Sequence, residues 1–215
     1  RWWKLPPQDF RDRYFLDFPL MSREVLDFLP WSLQDDVLRS ITTYTGTAVP
    51  AGHGVGKTQI AAVAAIDFML TCPDSVVLTT APTFNQVKLL LWKYIRRLMV
   101  QRIMPRWSRA FTVLTTEIKS TASDEWFAGG LSPAEDVNFT GFHREFLLAI
   151  LDEAQGVRRE IFEAAQTLMT TDHSHMLLIG NPLESAGHFY DACMGKIPGF
   201  NMIRISCLDS PNFTA

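Results

Sequence analysis

The spacing of apolar positions along this chain changes period several times, and each change marks out an element. From residue 32 onward Leu33, Val37, Leu38 and Ile41 recur at helical spacing, with Ser32 placed to cap the helix. A Thr-rich apolar run ending at Ala51 predicts a strand, and a glycine-rich loop follows it. Residues 57–70 are apolar on nearly every face, as in a helix buried between a sheet and a further layer. The β-branched run 75–80 (SVVLTT) predicts a strand, and Val87, Leu90, Leu91, Tyr94, Ile95, Leu98 and Met99 then follow the i, i+3, i+4, i+7 rule of an amphipathic helix.

Further along, residues 111–119 and 125–131 predict two shorter strands, which could pair as a hairpin, before a polar loop. The continuous run 146–152 (FLLAILD) has the pattern of a strand covered on both faces. A helix through Ile161, Ala165, Leu168 and Met169 comes next, then strands at 175–179 and 201–207. Strands alternating with helices predict an α/β fold with a mainly parallel central sheet flanked by helices. Residues 1–30, which mix Trp2, Trp3 and four prolines with short charged segments, predict an N-terminal arm or lid packed on the main domain at 31–215.

Composition narrows the function only in part. The chain has 215 residues, is 47% hydrophobic and carries a formal charge of -3, so no global positive field marks a nucleic-acid partner and any such contact must be local. Cys72, Cys193 and Cys207 have no metal-ligand spacing and read as buried small hydrophobes of a reduced protein, and His173 and His175 read as surface residues at a strand start. The most apolar stretch, 60–70, is interrupted by Asp67 and is too short to span a bilayer, so no membrane partner is expected.

Candidate chemistry concentrates in four places. The loop AGHGVGKT, Ala51 to Thr58, lies between a predicted strand and a predicted helix, the context a phosphate-binding loop requires. Its bland alternative is a glycine turn with an accidental Gly-Lys-Thr, and Ala51 stands where the full pattern has Gly. In the phosphate reading Gly52, Gly54 and Gly56 turn backbone N–H groups inward around an anion, with His53 and Val55 completing the loop. Lys57 then reaches the β- and γ-phosphates and the Thr58 hydroxyl holds Mg²⁺. Asp152 and Glu153, at the end of the run 146–152, are either a solvated strand end or an acidic pair. In the second case Asp152 holds the Mg²⁺ shell through water and Glu153 polarises the water that attacks the γ-phosphate. Asn181, after the strand MLLI, either begins a turn with Pro182 or senses the γ-phosphate between the other two groups. Finally, no acidic residue lies between Asp74 and Glu117, while Lys88, Lys93, Arg96, Arg97, Arg102, Arg106 and Arg109 do. That basic surface could follow a DNA backbone, supply an arginine finger to a neighbour's ATP, or be a solvated helix face.

In combination, AGHGVGKT, TTAPTFNQVKLLLW, FTGFHREFLLAILDEAQGV, LLIGNP and SCLDSPN resemble, in order and spacing, the ATPase domain of the large terminase subunit of tailed bacteriophages, over residues 29 to 215. The resemblance implies a RecA-like P-loop ATPase that uses ATP and Mg²⁺ to drive double-stranded DNA into a procapsid. It further implies a homo-oligomeric ring, portal protein and small terminase subunit as partners, and a place in the host cytoplasm at the procapsid portal. Gln34 matches the family's adenine-contacting glutamine, although its position equally suits an ordinary first-turn helix residue. Many members carry Arg where His53 stands. Arg102, Arg106 and Arg109, with Arg144 in reserve, are the candidates for the trans-acting arginine or for DNA contact. A nuclease domain follows the ATPase domain in the family and is not expected within these residues.

Two other readings remain open. Asp-Glu-Ala-Gln at 152–155 also resembles the acidic box of helicases, but the next strand ends in Gly-Asn-Pro rather than a Ser-Ala-Thr type motif. A nucleotide-binding module that stabilises a ring with little catalysis is the second. A GTP switch would need an Asn-Lys-x-Asp motif, which is missing.

Overall fold

A computed structural model describes residues 6–133, 142 and 144–211. Among them one eight-stranded sheet is built from β1 (Gly46–Pro50), β2 (Val76–Thr80), β3 (Phe111–Val113), β4 (Glu117–Ser120), β5 (Phe127–Gly130), β6 (Leu147–Asp152), β7 (Ser174–Gly180) and β8 (Phe200–Met202). Its order is β3-β4-β5-β2-β6-β7-β1-β8. From β5 to β8 all neighbours are parallel, and only the β3–β4 and β4–β5 pairs are antiparallel. The expected mainly parallel sheet is therefore present.

The central strands are buried throughout, and alternate residues feed two different cores. Leu148 and Ile150 of β6, with Leu177 and Ile179 of β7, join the larger cluster on one face. Leu147, Ala149, Leu151, Met176 and Leu178 point into the cluster on the other. The first face is covered by α4 (Lys57–Thr71), by α3 (Ser32–Thr43) and by a helical stretch over 84–107. That stretch comprises α5 (Phe84–Gln86), α6 (Trp92–Leu98) and α7 (Met104–Trp107), joined by π-helical turns at Val87–Leu91 and Met99–Ile103. The opposite face packs against α8 (Arg159–Gln166) and α9 (His188–Cys193). No helix among the described residues is long and apolar enough to cross a membrane.

Within the stretch read as an arm, α1 (Gln8–Tyr14) and α2 (Phe18–Glu24) form, and Phe18, Met21, Val25 and Leu26 are buried in the larger core. Trp2 and Trp3 lie outside the described residues. The expected strand at 111–119 is instead a hairpin, β3 and β4, closed by Leu114 N–H donating to the Glu117 carbonyl at 2.7 Å. Its connection, Leu-Thr-Thr, contains none of the residues that announce a turn in sequence. The helix expected to run through Met169 ends at Gln166. Ser32 is the first helical residue of α3 rather than its cap, and the Gln34 side chain accepts from the Trp31 N–H at 3.4 Å.

Three further expectations are corrected. His175 is buried inside β7, its Nδ1 2.9 Å from the Tyr44 carbonyl and its ring edge-on to Phe68. Burial holds its pKa below the usual histidine value. Among the cysteines only Cys72 is buried, its thiol pushed up to about 12; Cys193 is half-buried and Cys207 exposed.

Asp67 lies in the apolar middle of α4 and is fully buried. The Ser22 hydroxyl of α2 donates to its Oδ2 at 2.9 Å, while Oδ1 has no partner. Burial therefore raises its pKa well above the usual carboxylate value, which favours the protonated form. A carboxyl that binds its proton more tightly folded than unfolded contributes stability at acid pH that is lost as pH rises above the ordinary carboxylate range. Asp67→Asn should remove this dependence. Melting curves between pH 5 and about pH 8 should show the wild type losing ground to the variant as pH increases; parallel curves would contradict a protonated Asp67.

Candidate functional site

The site lies where three adjacent parallel strands end together. In register Pro50 of β1 is level with Gly180 of β7, and Ile179 of β7 is level with Asp152 of β6. The strand bearing Asp152 is thus separated from the glycine loop by β7, the extra central strand, and Asn181 emerges between them. Ligands of open parallel sheets bind at this carboxyl edge.

The loop at 51–56 leads from β1 into α4, with Gly54 at φ 75° and Gly56 at φ 84°. Both angles lie in the left-handed region that only glycine enters cheaply, and they turn the backbone around the N-terminus of α4. His53 and Gly54 are exposed at the rim, and Val55 is buried beneath. Two contacts brace the loop. Gly52 N–H donates to the Ile205 carbonyl at 2.9 Å, and Gln34 Nε2 donates to the Val55 carbonyl at 3.1 Å. Gln34 is itself buried. The structure shows it supporting the loop, with one of its two amide N–H groups committed to Val55.

Lys57, the first residue of α4, is buried, and its ammonium is surrounded by neutral oxygens: Asn181 Oδ1 at 2.7 Å, the Gly52 carbonyl at 3.0 Å and the Ala51 carbonyl at 3.4 Å. Burial lowers its pKa, and the charges of Glu153 and Asp152 oppose that shift. Asp152 is buried too, and its carboxyl is pushed up to about 6, by burial first and then by the charge of Glu153. The Glu153 N–H, donating to Asp152 Oδ1 at 3.0 Å, works in the other direction. Glu153 has φ 48° and ψ 48°, a left-handed conformation costly to a residue with a side chain. Its Oε2 lies 2.9 Å from Gln155 Nε2 and 3.5 Å from Asn181 Nδ2. The structure thus brings together Lys57, Asp152, Glu153 and Asn181, and adds Gln155, which the sequence reading passed over inside its acidic box.

The donor set fits a nucleotide with a divalent cation. A buried ammonium faces only neutral partners, so an anion gains there, and a buried carboxyl beside a second acid has reason to accept a cation. No cluster of three or more His, Cys, Asp or Glu suited to a metal exists among the described residues.

Three of the four arginine candidates have side-chain partners within this chain. Arg102 pairs with Asp27 at 2.8 Å, Arg106 donates to the Val25 carbonyl at 3.0 Å, and Arg144 pairs with Glu125 at 2.9 Å. The Arg109 carbonyl accepts from the Thr121 hydroxyl at 2.8 Å. Lys88, Lys93, Arg97, Arg102, Arg106 and Arg109 are exposed, so the acid-free stretch presents basic side chains to solvent.

Fold and site together define a P-loop ATPase fold with an added strand between the phosphate loop and the acidic pair. The chain is similar to the probable terminase large subunit of Enterobacteria phage P7, with 30% identity over 166 residues covering 74% of this chain and 33% of that protein. It therefore spans about a third of that relative's length. Among solved structures it shares its fold with the large terminase ATPase domain of Thermus phage P74-26 (TM-score 0.69, 18% identity, 95% of this chain and 87% of that one). The HK97 bacteriophage large terminase is similar over 88% of this chain and 43% of its own (TM-score 0.67, 14% identity). A large terminase from a thermophilic bacteriophage, solved in complex with ADP, matches over 85% of this chain and 48% of its own (TM-score 0.62, 13% identity). No family model matches. The sequence similarity is to a phage large terminase and the shared fold is that of large terminase ATPase domains, in line with the resemblance drawn from the motifs.

Because the Asp152 carboxyl titrates at about 6, ionising it for a cation becomes harder below that pH. Mg²⁺-dependent affinity for a fluorescent ADP should fall up to about tenfold per pH unit below pH 6 and level off above about pH 7. Asp152→Asn should weaken the Mg²⁺ dependence and abolish this slope. A wild-type affinity flat from pH 5 to about pH 7 would exclude Asp152 as the ligand.

Proposed function

We propose that this chain is the Mg²⁺-dependent, ATP-hydrolysing motor domain of a viral DNA-packaging machine, coupling hydrolysis to movement of double-stranded DNA into a procapsid. The observation that carries this reading is the linked set Lys57, Asn181 and Glu153 beside a left-handed glycine loop. The loop N–H groups and the start of α4 hold the phosphates, and Lys57 neutralises charge on the β- and γ-phosphates. Bound Mg²⁺, held by Thr58 and by Asp152 through water, would supply further neutralisation of the leaving phosphate. Glu153 orients a water and takes its proton as the water oxygen bonds to the γ-phosphorus and the bond to ADP breaks.

Asn181 now donates toward Glu153 and accepts from Lys57. When Lys57 turns to a γ-phosphate, Asn181 loses one partner, which makes it the natural reporter of that phosphate. The partners in this reading are DNA, a portal protein, a small terminase subunit and further copies in a ring, at the portal in the host cytoplasm. The support is the similarity to large terminases together with the exposed basic face of residues 88–109.

Glu153→Gln should lower kcat by about 10²–10⁴-fold with nucleotide affinity kept, since only the proton acceptor is lost. Lys57→Ala should instead weaken nucleotide binding itself. Turnover at the wild-type rate in Glu153→Gln would remove Glu153 from the base role.

On the basic face Arg102 is the clean probe, because its pair with Asp27 is exposed and contributes no more than about 1 kcal/mol. Arg102→Glu should leave the melting temperature nearly unchanged and reduce DNA-stimulated ATP turnover. Full stimulation in this variant would assign the DNA path to another surface.

A further inference from the structure

One side chain ties the two halves of the site to each other. Gln155 Nε2 donates to Glu153 Oε2 at 2.9 Å, and its Oε1 accepts from the Asn181 backbone N–H at 3.1 Å. The fit depends on Gly180, because a Cβ at that position would stand 2.1 Å from Gln155 Oε1 and 2.9 Å from the Ala154 nitrogen. Glu153 needs such a restraint. It sits alone in a left-handed conformation between β6 and a short 3-10 turn, Ala154–Gly156, so no regular element fixes where its carboxylate points.

We propose that Gln155 is a positioning residue that fastens the Glu153 carboxylate to the end of β7, so that the base and Asn181 keep a fixed separation. The assignment rests on the ATP-hydrolysis reading above. A primary amide suits the task because it donates to the carboxylate and accepts from the backbone at once, without charge. Glutamate would set a second negative charge against Glu153, and leucine, of similar size, would break both bonds.

The test uses Gln155→Leu in the otherwise unchanged chain, with ATP turnover and binding of a fluorescent ADP measured together. Loss of orientation without loss of binding should lower kcat by about 10–100-fold, while KM and ADP affinity stay within about threefold of wild type. Gly180→Ala, which pushes the amide away while keeping Gln155 in place, should give the same split. The decisive comparison is a double-mutant cycle. If Gln155 acts through Glu153, then adding Gln155→Leu to Glu153→Gln causes no further loss. Independent, multiplying losses would overturn the assignment, as would wild-type kcat in Gln155→Leu. A wild type that turns over no ATP, with or without DNA, would instead overturn the ATPase reading itself.

Discussion

Everything at this site depends on the register of β6, β7 and β1. Pairing Asp152 with Ile179 and Pro50 with Gly180 brings Asp152 and Glu153, Asn181 and the glycine loop to one edge of the sheet. A slip of one residue would turn Asp152 from one face of the sheet to the other and would exchange the apolar sets that fill the two cores. The cores therefore enforce the chemistry. Leu148 and Ile150 must point toward α4 and Leu147, Ala149 and Leu151 toward α8, and a one-residue slip would violate both.

That edge is electrostatically uneasy by itself. Burial pushes Lys57 toward its neutral form and Asp152 toward its protonated form, so the two groups that should meet a phosphate and a cation are those whose charges the protein disfavours. Their mutual attraction offsets part of the desolvation, and Asn181 supplies Lys57 with a neutral oxygen at 2.7 Å. A nucleotide with its cation would bring both missing counter-charges at once, which would make such a ligand a stabiliser of the folded chain.

Much of this was legible in the sequence because it is written in local patterns. The phosphate loop is contiguous, the acidic pair ends an apolar run, and strand and helix periods alternate clearly. What escaped depends on contacts between distant segments. Gln155 matters through Gly180, which lies beyond α8 in the chain, and nothing around Gln155 announces that partner. His175 looks polar in sequence and is buried because Phe68 and the Tyr44 carbonyl enclose it. Gln34 serves the loop through Val55, a contact that helical periodicity cannot reveal. The β3–β4 turn escaped for a local reason, since Leu-Thr-Thr carries no glycine, proline or asparagine.

The turn after Asp152 is confined on two sides. Gln155 holds it to β7, and on the β2 side Gly156 lies so close to Pro82 that a Cβ would stand 2.8 Å from the proline ring. Pro82 lies two residues before the start of the helical stretch 84–107, which carries most of the exposed basic side chains. Close-packed interiors transmit displacement because there is no slack to absorb it. A change in the position of Glu153 must therefore be taken up either at the end of β7, where Asn181 meets Lys57, or at the start of that helical stretch. The turn that carries Glu153 is in this way braced against the end of β7, next to Asn181, and against Pro82 at the approach to that helical stretch.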